Sequence, residues 1–310
     1  MVRALVTGAT GFVGSHLVRR LLSERVETAV LVRPDSNLYR IADLLPRLVV
    51  VRGDLTTLSE CADAIKVFAP EMIFHLAWYG AGSFRQQNEP AQIFDNLLGS
   101  LQLIQIAQAC NCRTLIGLGS VLEYGHYPVP VGEDTPPRPV SLYGAAKYSV
   151  GLLAERLCST YGIRFGWLRL FWAYGPADDP QRMIPYVIRA LLSGEQPALT
   201  PGEQRWDYLY VDDAVEAIWR FAMTTRADGF FNLGSGETHT IRQVVEQIRD
   251  VIDPRVTVSF GQVPYRPNQI MHLQADISRL KSLGWFPQVG LDVGLRRTVN
   301  WFRENIRPNE

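Results

Sequence analysis

The chain has 310 residues, 47% of them hydrophobic and 20% charged, and its 31 basic residues balance 31 acidic ones for a formal net charge of zero. That apolar share can fill a sizeable core and excludes an intrinsically disordered chain, and the length fits about two domains at ~150 residues each. A balanced charge with no Lys/Arg block leaves no electrostatic footprint for nucleic acid or an anionic membrane, so small-molecule partners are expected.

Along the first half, short β-branched runs at 2–7, 28–32, 48–51, 72–76, 114–118 and 164–170 alternate with helical patterns at 12–23, 59–68, 90–109 and 142–161. Strands apolar on both faces, separated by helix-length segments, are what a parallel sheet with helices on each side requires. The expected fold is therefore α/β, a Rossmann-type doubly wound parallel sheet. Beyond residue 174, Gly175-Pro176, Pro197, Pro201-Gly202, Pro264, Pro267 and Pro287 punctuate shorter elements, which reads as a smaller, discontinuous α/β cap. The strand-and-helix pattern near 207–222 is expected to return to the first domain. The expected division is thus 1–174 with 207–222 for the dinucleotide domain, and 175–206 with 223–310 for a substrate-binding cap.

Cys110 and Cys112 lie one residue apart among only four cysteines, and the five histidines have no ligand spacing, so neither a disulfide framework nor a metal is expected. A reduced, cytoplasmic setting follows from that usage. No apolar run approaches the ~20 residues of a membrane span, and Met1 leads into a strand pattern rather than a secretory leader.

The segment Val6-Thr7-Gly8-Ala9-Thr10-Gly11-Phe12-Val13-Gly14 places three glycines between an apolar strand and a helix. Gly8 permits a tight turn, Gly11 lets the backbone approach a pyrophosphate and Gly14 allows close helix packing, so the spacing points to a dinucleotide cofactor. At the end of the second strand stands Arg33 followed by Pro34-Asp35, where an acidic residue would hold an NAD ribose. Arg33 favours a 2′-phosphate and hence NADP(H); with Asp35 on the ribose instead, the cofactor is NAD(H). Asp54, after the third strand, either faces the adenine end or caps a loop.

Tyr143 and Lys147 lie four residues apart, one turn along a helix face. A phenol of ordinary pKa ~10 exchanges protons poorly near neutrality unless a cation favours its phenolate, and Lys147 is the expected cation. Ser120 follows the fifth strand, where loops at the carboxyl edge of a parallel sheet form the ligand crevice. A phenol, a hydroxyl and an ammonium converging on one carbonyl beside a nicotinamide suit hydride transfer coupled to proton transfer.

These motifs, with His75-Leu76-Ala77, Asn96, Glu123-Tyr124-Gly125, Tyr174-Gly175-Pro176, Tyr210-Val211-Asp212-Asp213, Asn232-Leu233-Gly234-Ser235-Gly236 and Leu283-Gly284-Trp285, resemble the extended short-chain dehydrogenase/reductase family over almost the whole chain. That family contains the nucleotide-sugar epimerases, dehydratases and reductases. The resemblance implies Tyr143 as acid/base, Lys147 tuning it, Ser120 on the substrate oxygen and Asn96 supporting the lysine or a water. It further implies a cofactor lined by Gly8, Thr10, Gly11, Phe12, Val13, Gly14, Arg33, Asp54, Leu55, Leu76, Ala77 and Lys147, and a homodimer through the two long helices.

The family's dehydratases carry an Asp-Glu pair directly after the catalytic hydroxyl, and this chain has Val121 and Leu122 there, with Glu123 shifted by one. Eliminating water needs that acid and base, so dehydration is not expected. Reduction of the 4-keto group of a nucleotide-linked 4-keto-6-deoxyhexose is the favoured reading, on Arg33 and on the look of residues 119–125 and 264–278; NAD-dependent 4-epimerisation is the alternative. A non-catalytic dinucleotide sensor would be free to lose Ser120, Tyr143 and Lys147, and all three are present. Trp172, where the family usually has Asn, either stacks on a base or packs in the core; Trp206 replaces the family's diphosphate Arg. Arg266 either binds the substrate diphosphate or is a surface cation.

Overall fold

The computed structural model describes residues 2–81, 86–267 and 269–305. The first half runs β1 (Arg3–Thr7), α1 (Phe12–Ser23), β2 (Glu27–Val32), β3 (Val49–Arg52), α2 (Leu58–Phe68), β4 (Met72–His75), α3 (Leu98–Ala109), β5 (Thr114–Ser120), α4 (Leu142–Tyr161) and β6 (Arg164–Leu170). The second half runs β7 (Trp172–Tyr174), α5 (Met183–Leu192), β8 (Arg205–Tyr210), α6 (Val211–Met223), β9 (Gly229–Leu233), β10 (Thr238–Thr240), α7 (Ile241–Ile252), β11 (His272–Leu273), α8 (Ser278–Ser282) and α9 (Leu291–Asn305).

Seven parallel strands form the large sheet in the order β3-β2-β1-β4-β5-β6-β9. Alternate side chains feed two cores. On one face Val6, Val30, Phe74 and Ile116 meet Leu17 and Leu21 of α1 and Ile218 of α6. On the other, Leu5, Ala29, Ile73 and Leu115 meet Ile65 of α2, Leu103 of α3 and Val150 of α4. Period-2 alternation explains why these strands read as continuous apolar runs: both faces are covered. β2 and β4 flank β1 on opposite sides, so the chain reverses direction across the sheet there and opens a crevice at the carboxyl ends of β1 and β4.

In the smaller sheet, β8 pairs in parallel with β7 along its second half, and with antiparallel β10 and parallel β11 along its first. α5, α7 and α9 pack together in the same part of the molecule. The division expected at residues 174 and 207–222 is corrected at three strands. β7, expected with the large sheet, pairs with β8 instead; β8, expected to return to the first domain, is the centre of the small sheet; and β9, expected in the cap, is the seventh strand of the large one. α6 does return, packing on α1. Having covered that face, the chain is left beside β6, and Phe231 and Leu233 supply the buried side chains an added strand needs.

The helix expected over 90–109 begins as a π-helical turn, Gln92–Leu97, before continuing as α3. The wider turn buries Gln92 and Asn96. Among the described residues no helix is long and apolar enough to cross a membrane.

Candidate active site

The cradle comes first. Gly8 has φ +74°, and a Cβ there would lie 2.6 Å from the Ala77 nitrogen; one on Gly14 would lie 2.1 Å from the Gly8 carbonyl oxygen. Only glycine lets α1 start against the turn in this way. Gly11 caps α1 with no side-chain hydrogen bond, so the first-turn N–H groups and the positive end of the helix remain available to an anion. This arrangement fits the pyrophosphate of a dinucleotide. Thr10, Phe12 and Val13 lie in the same turn, and Leu76 and Ala77 close it from the end of β4.

A buried hydrogen-bond chain fixes the end of β4 against β1. The Ala77 N–H donates to Thr7 Oγ1 at 3.2 Å, Thr7 Oγ1 meets His75 Nδ1 at 2.8 Å, and His75 Nε2 meets Ser100 Oγ at 2.8 Å. Since Ser100 donates to the Asn96 carbonyl at 2.6 Å, it accepts from Nε2–H, which makes Nδ1 the acceptor. Burial, reinforced by Lys147, pushes the His75 pKa down to about 3.

At the edge of the cradle Arg33 is half-exposed, with its Nε 3.6 Å from Asp35 and 3.9 Å from Asp54. Asp54 Oδ1 also accepts from the Thr56 N–H and hydroxyl, each at 2.8 Å, capping a short turn that begins at buried Leu55. Asp54 thus caps the loop through Oδ1, and two carboxylates flank the guanidinium expected to take a 2′-phosphate.

The residues expected to react converge from β5 and α4. Ser141 Oγ accepts from the Gly144 N–H at 3.1 Å, and the Tyr143 N–H donates to the Gln87 carbonyl at 2.8 Å, which sets the start of α4. Tyr143 and Lys147 then face inward, both buried. The Tyr143 hydroxyl faces Ser120. Burial pushes this phenol up to about 12, with Glu123 adding to the rise; the Ser120 hydroxyl and the Arg182 cation oppose it. Lys147, the cation expected beside the phenol, donates from Nζ to the Leu118 carbonyl at 2.6 Å and sits 3.8 Å from the centre of the Trp78 ring. Desolvation brings Lys147 down to about 7, with Glu123 opposing.

Glu123 is turned wholly inward. Its Oε1 accepts from the Ser120 N–H at 2.8 Å and from Trp167 Nε1 at 2.9 Å, and its Oε2 pairs with Arg169 Nε at 2.8 Å. The one-residue shift thus places the carboxylate in the interior behind Ser120, because Val121–Glu123 forms a 3-10 turn whose third side chain folds back to cap the Ser120 N–H.

Asn96 holds the backbone after β4, not Lys147: its Oδ1 accepts from the Tyr79 N–H at 2.7 Å and its Nδ2 donates to the Tyr79 carbonyl at 3.1 Å. Trp78, bonded to Gln92 Oε1 at 2.8 Å, lies edge-on to Tyr143 as well as over Lys147. Sequence reading missed Trp78 and Arg182. Trp172 packs on Trp206 with ring centres 4.6 Å apart, and the Arg182 guanidinium covers Trp172 at 4.7 Å while pairing with buried Asp178 at 2.9 Å. Both positions of polar family contacts are therefore filled by one indole pair. Arg266 is exposed in the loop before β11, and Asn268 beside it lies outside the described residues.

A model of the NAD dependent epimerase/dehydratase family matches residues 4–234. This chain belongs to that family. Within it, the UDP-glucose 4-epimerase of Mycolicibacterium smegmatis is 30% identical, over 97% of this chain and 99% of that protein. The structure of a UDP-glucose 4-epimerase from Thermus thermophilus in complex with NAD superposes with TM-score 0.89 at 28% identity, covering 98% of this chain and 100% of that one. A dTDP-glucose 4,6-dehydratase from Streptomyces venezuelae with NAD bound gives TM-score 0.88 at 28% identity, covering 98% of both chains. The Rossmann-type fold and the extended short-chain dehydrogenase/reductase resemblance read from the motifs agree with these relatives.

Proposed function

We propose that this protein is an NAD(H)-dependent oxidoreductase acting at C4 of a nucleotide-linked hexose. The observation that carries the reading is the burial of Ser120, Tyr143 and Lys147 together, with the phenol facing Ser120, at the carboxyl edge that also bears the glycine cradle. A nicotinamide bound there would supply or accept the hydride. Tyr143 exchanges the proton of the C4 oxygen, Ser120 shares that oxygen, and Lys147 contributes positive charge and a donor to the cofactor ribose. Gly8, Thr10, Gly11, Phe12, Val13 and Gly14 take the pyrophosphate, with Asp54, Leu55, Leu76 and Ala77 along the rest of the dinucleotide. Val121 and Leu122 offer no acid or base for dehydration.

Epimerisation is the first reading within this chemistry. The relatives named as 4-epimerases support it, as do the carboxylates on both sides of Arg33, which disfavour a 2′-phosphate and with it NADP(H). Net reduction of a 4-keto-6-deoxy sugar is the second. It is favoured by the protonated Tyr143 phenol, the form that gives a proton to a carbonyl oxygen, and by Trp172 and Trp206 at positions of polar contacts in the family. Arg182, or Arg266 from the cap, would meet the diphosphate.

The test incubates purified protein with UDP- and dTDP-hexoses and their 4-keto-6-deoxy derivatives, with and without NADH or NADPH. Interconversion of C4 isomers without added cofactor establishes the epimerase; stoichiometric loss of reduced-nicotinamide absorbance with a 4-keto sugar establishes the reductase. No turnover of either kind overturns both.

A homodimer through the long helices belongs to the same proposal. Ile93, Phe94 and Leu98 on one helical run and Leu142, Leu152 and Leu153 on α4 are exposed apolar side chains that a second copy would cover.

A further inference from the structure

The interior behind Ser120 holds a carboxylate and a guanidinium that the reaction itself does not use. Glu123 is fully buried and Arg169 nearly so. Burying such a pair is unfavourable unless every lone pair and proton is satisfied, and apolar side chains of similar size often serve a core equally well. Here the carboxylate takes three donors and is directed at the site. Glu123 accepts from the Ser120 backbone N–H, from Trp167 and from Arg169. Arg169 passes on to Tyr124 Oη at 2.8 Å and is sandwiched between the Tyr124 and Phe230 rings, at 4.7 and 4.6 Å. Gly119 makes room for this: a Cβ there would lie 2.6 Å from Glu123 Oε1 and 2.4 Å from Trp167 Nε1. Trp167 also presents its ring to Lys147 Nζ at 5.7 Å, so a single indole touches both charged groups.

We propose that Glu123 and Arg169 form a positioning pair for the catalytic groups: Glu123 fixes Ser120 through its backbone and is the carboxylate that the buried Lys147 ammonium faces, and Arg169 locks that carboxylate in place. The inference rests on the C4 oxidoreductase reading for its kinetic consequences, but not for its electrostatic one. Among the described residues, Glu123 and His75 are the titratable groups that interact electrostatically with Lys147, and Glu123 and Arg182 those that do so with Tyr143. Since His75 is neutral, Glu123 is the compensating charge. Removing it disfavours the ammonium, so Lys147 loses its proton at lower pH.

The sequence has three lysines, Lys66, Lys147 and Lys281, so the Lys147 side chain can be followed by NMR in the full-length protein labelled with carbon-13 lysine. The wild type is expected to show one lysine titrating near pH 7. In Glu123→Gln that midpoint falls by about one unit or more, and the alkaline limb of kcat moves with it while NAD affinity holds within about twofold. The double variant Glu123→Gln/Arg169→Gln leaves no guanidinium without its carboxylate; it serves where the single variant does not fold, and, because it has lost a cation as well as the nearer carboxylate, its midpoint falls in the same direction by less. A midpoint and pH profile within about 0.2 unit of wild type in either folded variant overturns the proposal and leaves the pair as packing alone. If no sugar is turned over, the C4 reading fails while the lysine titration still decides this one.

Discussion

A buried phenol keeps its proton unless something nearby rewards its loss, and Tyr143 is held in that state with only Ser120 and Arg182 pulling the other way. Replacing Tyr143 with Phe removes the transferable proton without changing shape. Turnover is expected to fall ~10²–10⁴-fold while NAD binding by fluorescence titration is unchanged; equal loss of both would mean the residue is structural. A second prediction concerns His75. Its folded pKa of about 3 lies below the ordinary 6.5, so the unfolded chain binds the extra proton first, and stability is lost as pH falls from 6.5 towards 3, by on the order of 4 kcal/mol. Urea unfolding of wild type and His75→Gln across that range should show the steeper acid loss in the wild type. Parallel curves would place the acid sensitivity elsewhere. At this scale Ser120, Tyr143 and Lys147 were legible because strand ends and helical spacing are local properties. Trp78 and Arg182 were not, since each reaches the site from an element whose approach depends on packing. The Asn96 contacts were not legible for the same reason: its partners are the backbone of Tyr79, after β4.

The glycine turn shows an element whose function is its lack of side chains. A methyl group at position 14 would fall 2.1 Å from the Gly8 carbonyl oxygen, so Gly14→Ala must push α1 away from β1. NAD affinity by titration calorimetry is expected to drop at least ~10-fold, with a stability loss of about 1–3 kcal/mol in urea. Unchanged affinity would show that the helix start does not hold the pyrophosphate. The alternation of strands and helices through β6 was readable from periodicity alone. The π-helical turn ahead of α3 was not, because an added residue per turn leaves the apolar period nearly intact while rotating Gln92 and Asn96 inward.

The molecule as a whole departs from its expected division because the chain crosses between its two sheets more than once. It leaves the large sheet after β6, builds β7, α5 and β8, returns with α6 and β9, and leaves again. Composition marks where turns lie but not which sheet a short strand joins, and β8 and β9 are of similar length and apolarity. Assembly gives the prediction at this scale. Leu98→Glu together with Leu153→Glu charges the exposed apolar faces of α3 and α4, and light scattering is expected to read a dimer for wild type and a monomer for the variant. A monomeric wild type would remove those helices as an interface.

A single residue, Phe171, separates β6 from β7, and none separates β8 from α6. Such joints have too few free torsions to serve as a wide hinge. The small sheet is thus tied closely to the large one at both of these crossings, and a ligand of the proposed class would be admitted by side chains and surface loops giving way rather than by a wide swing of the cap about them.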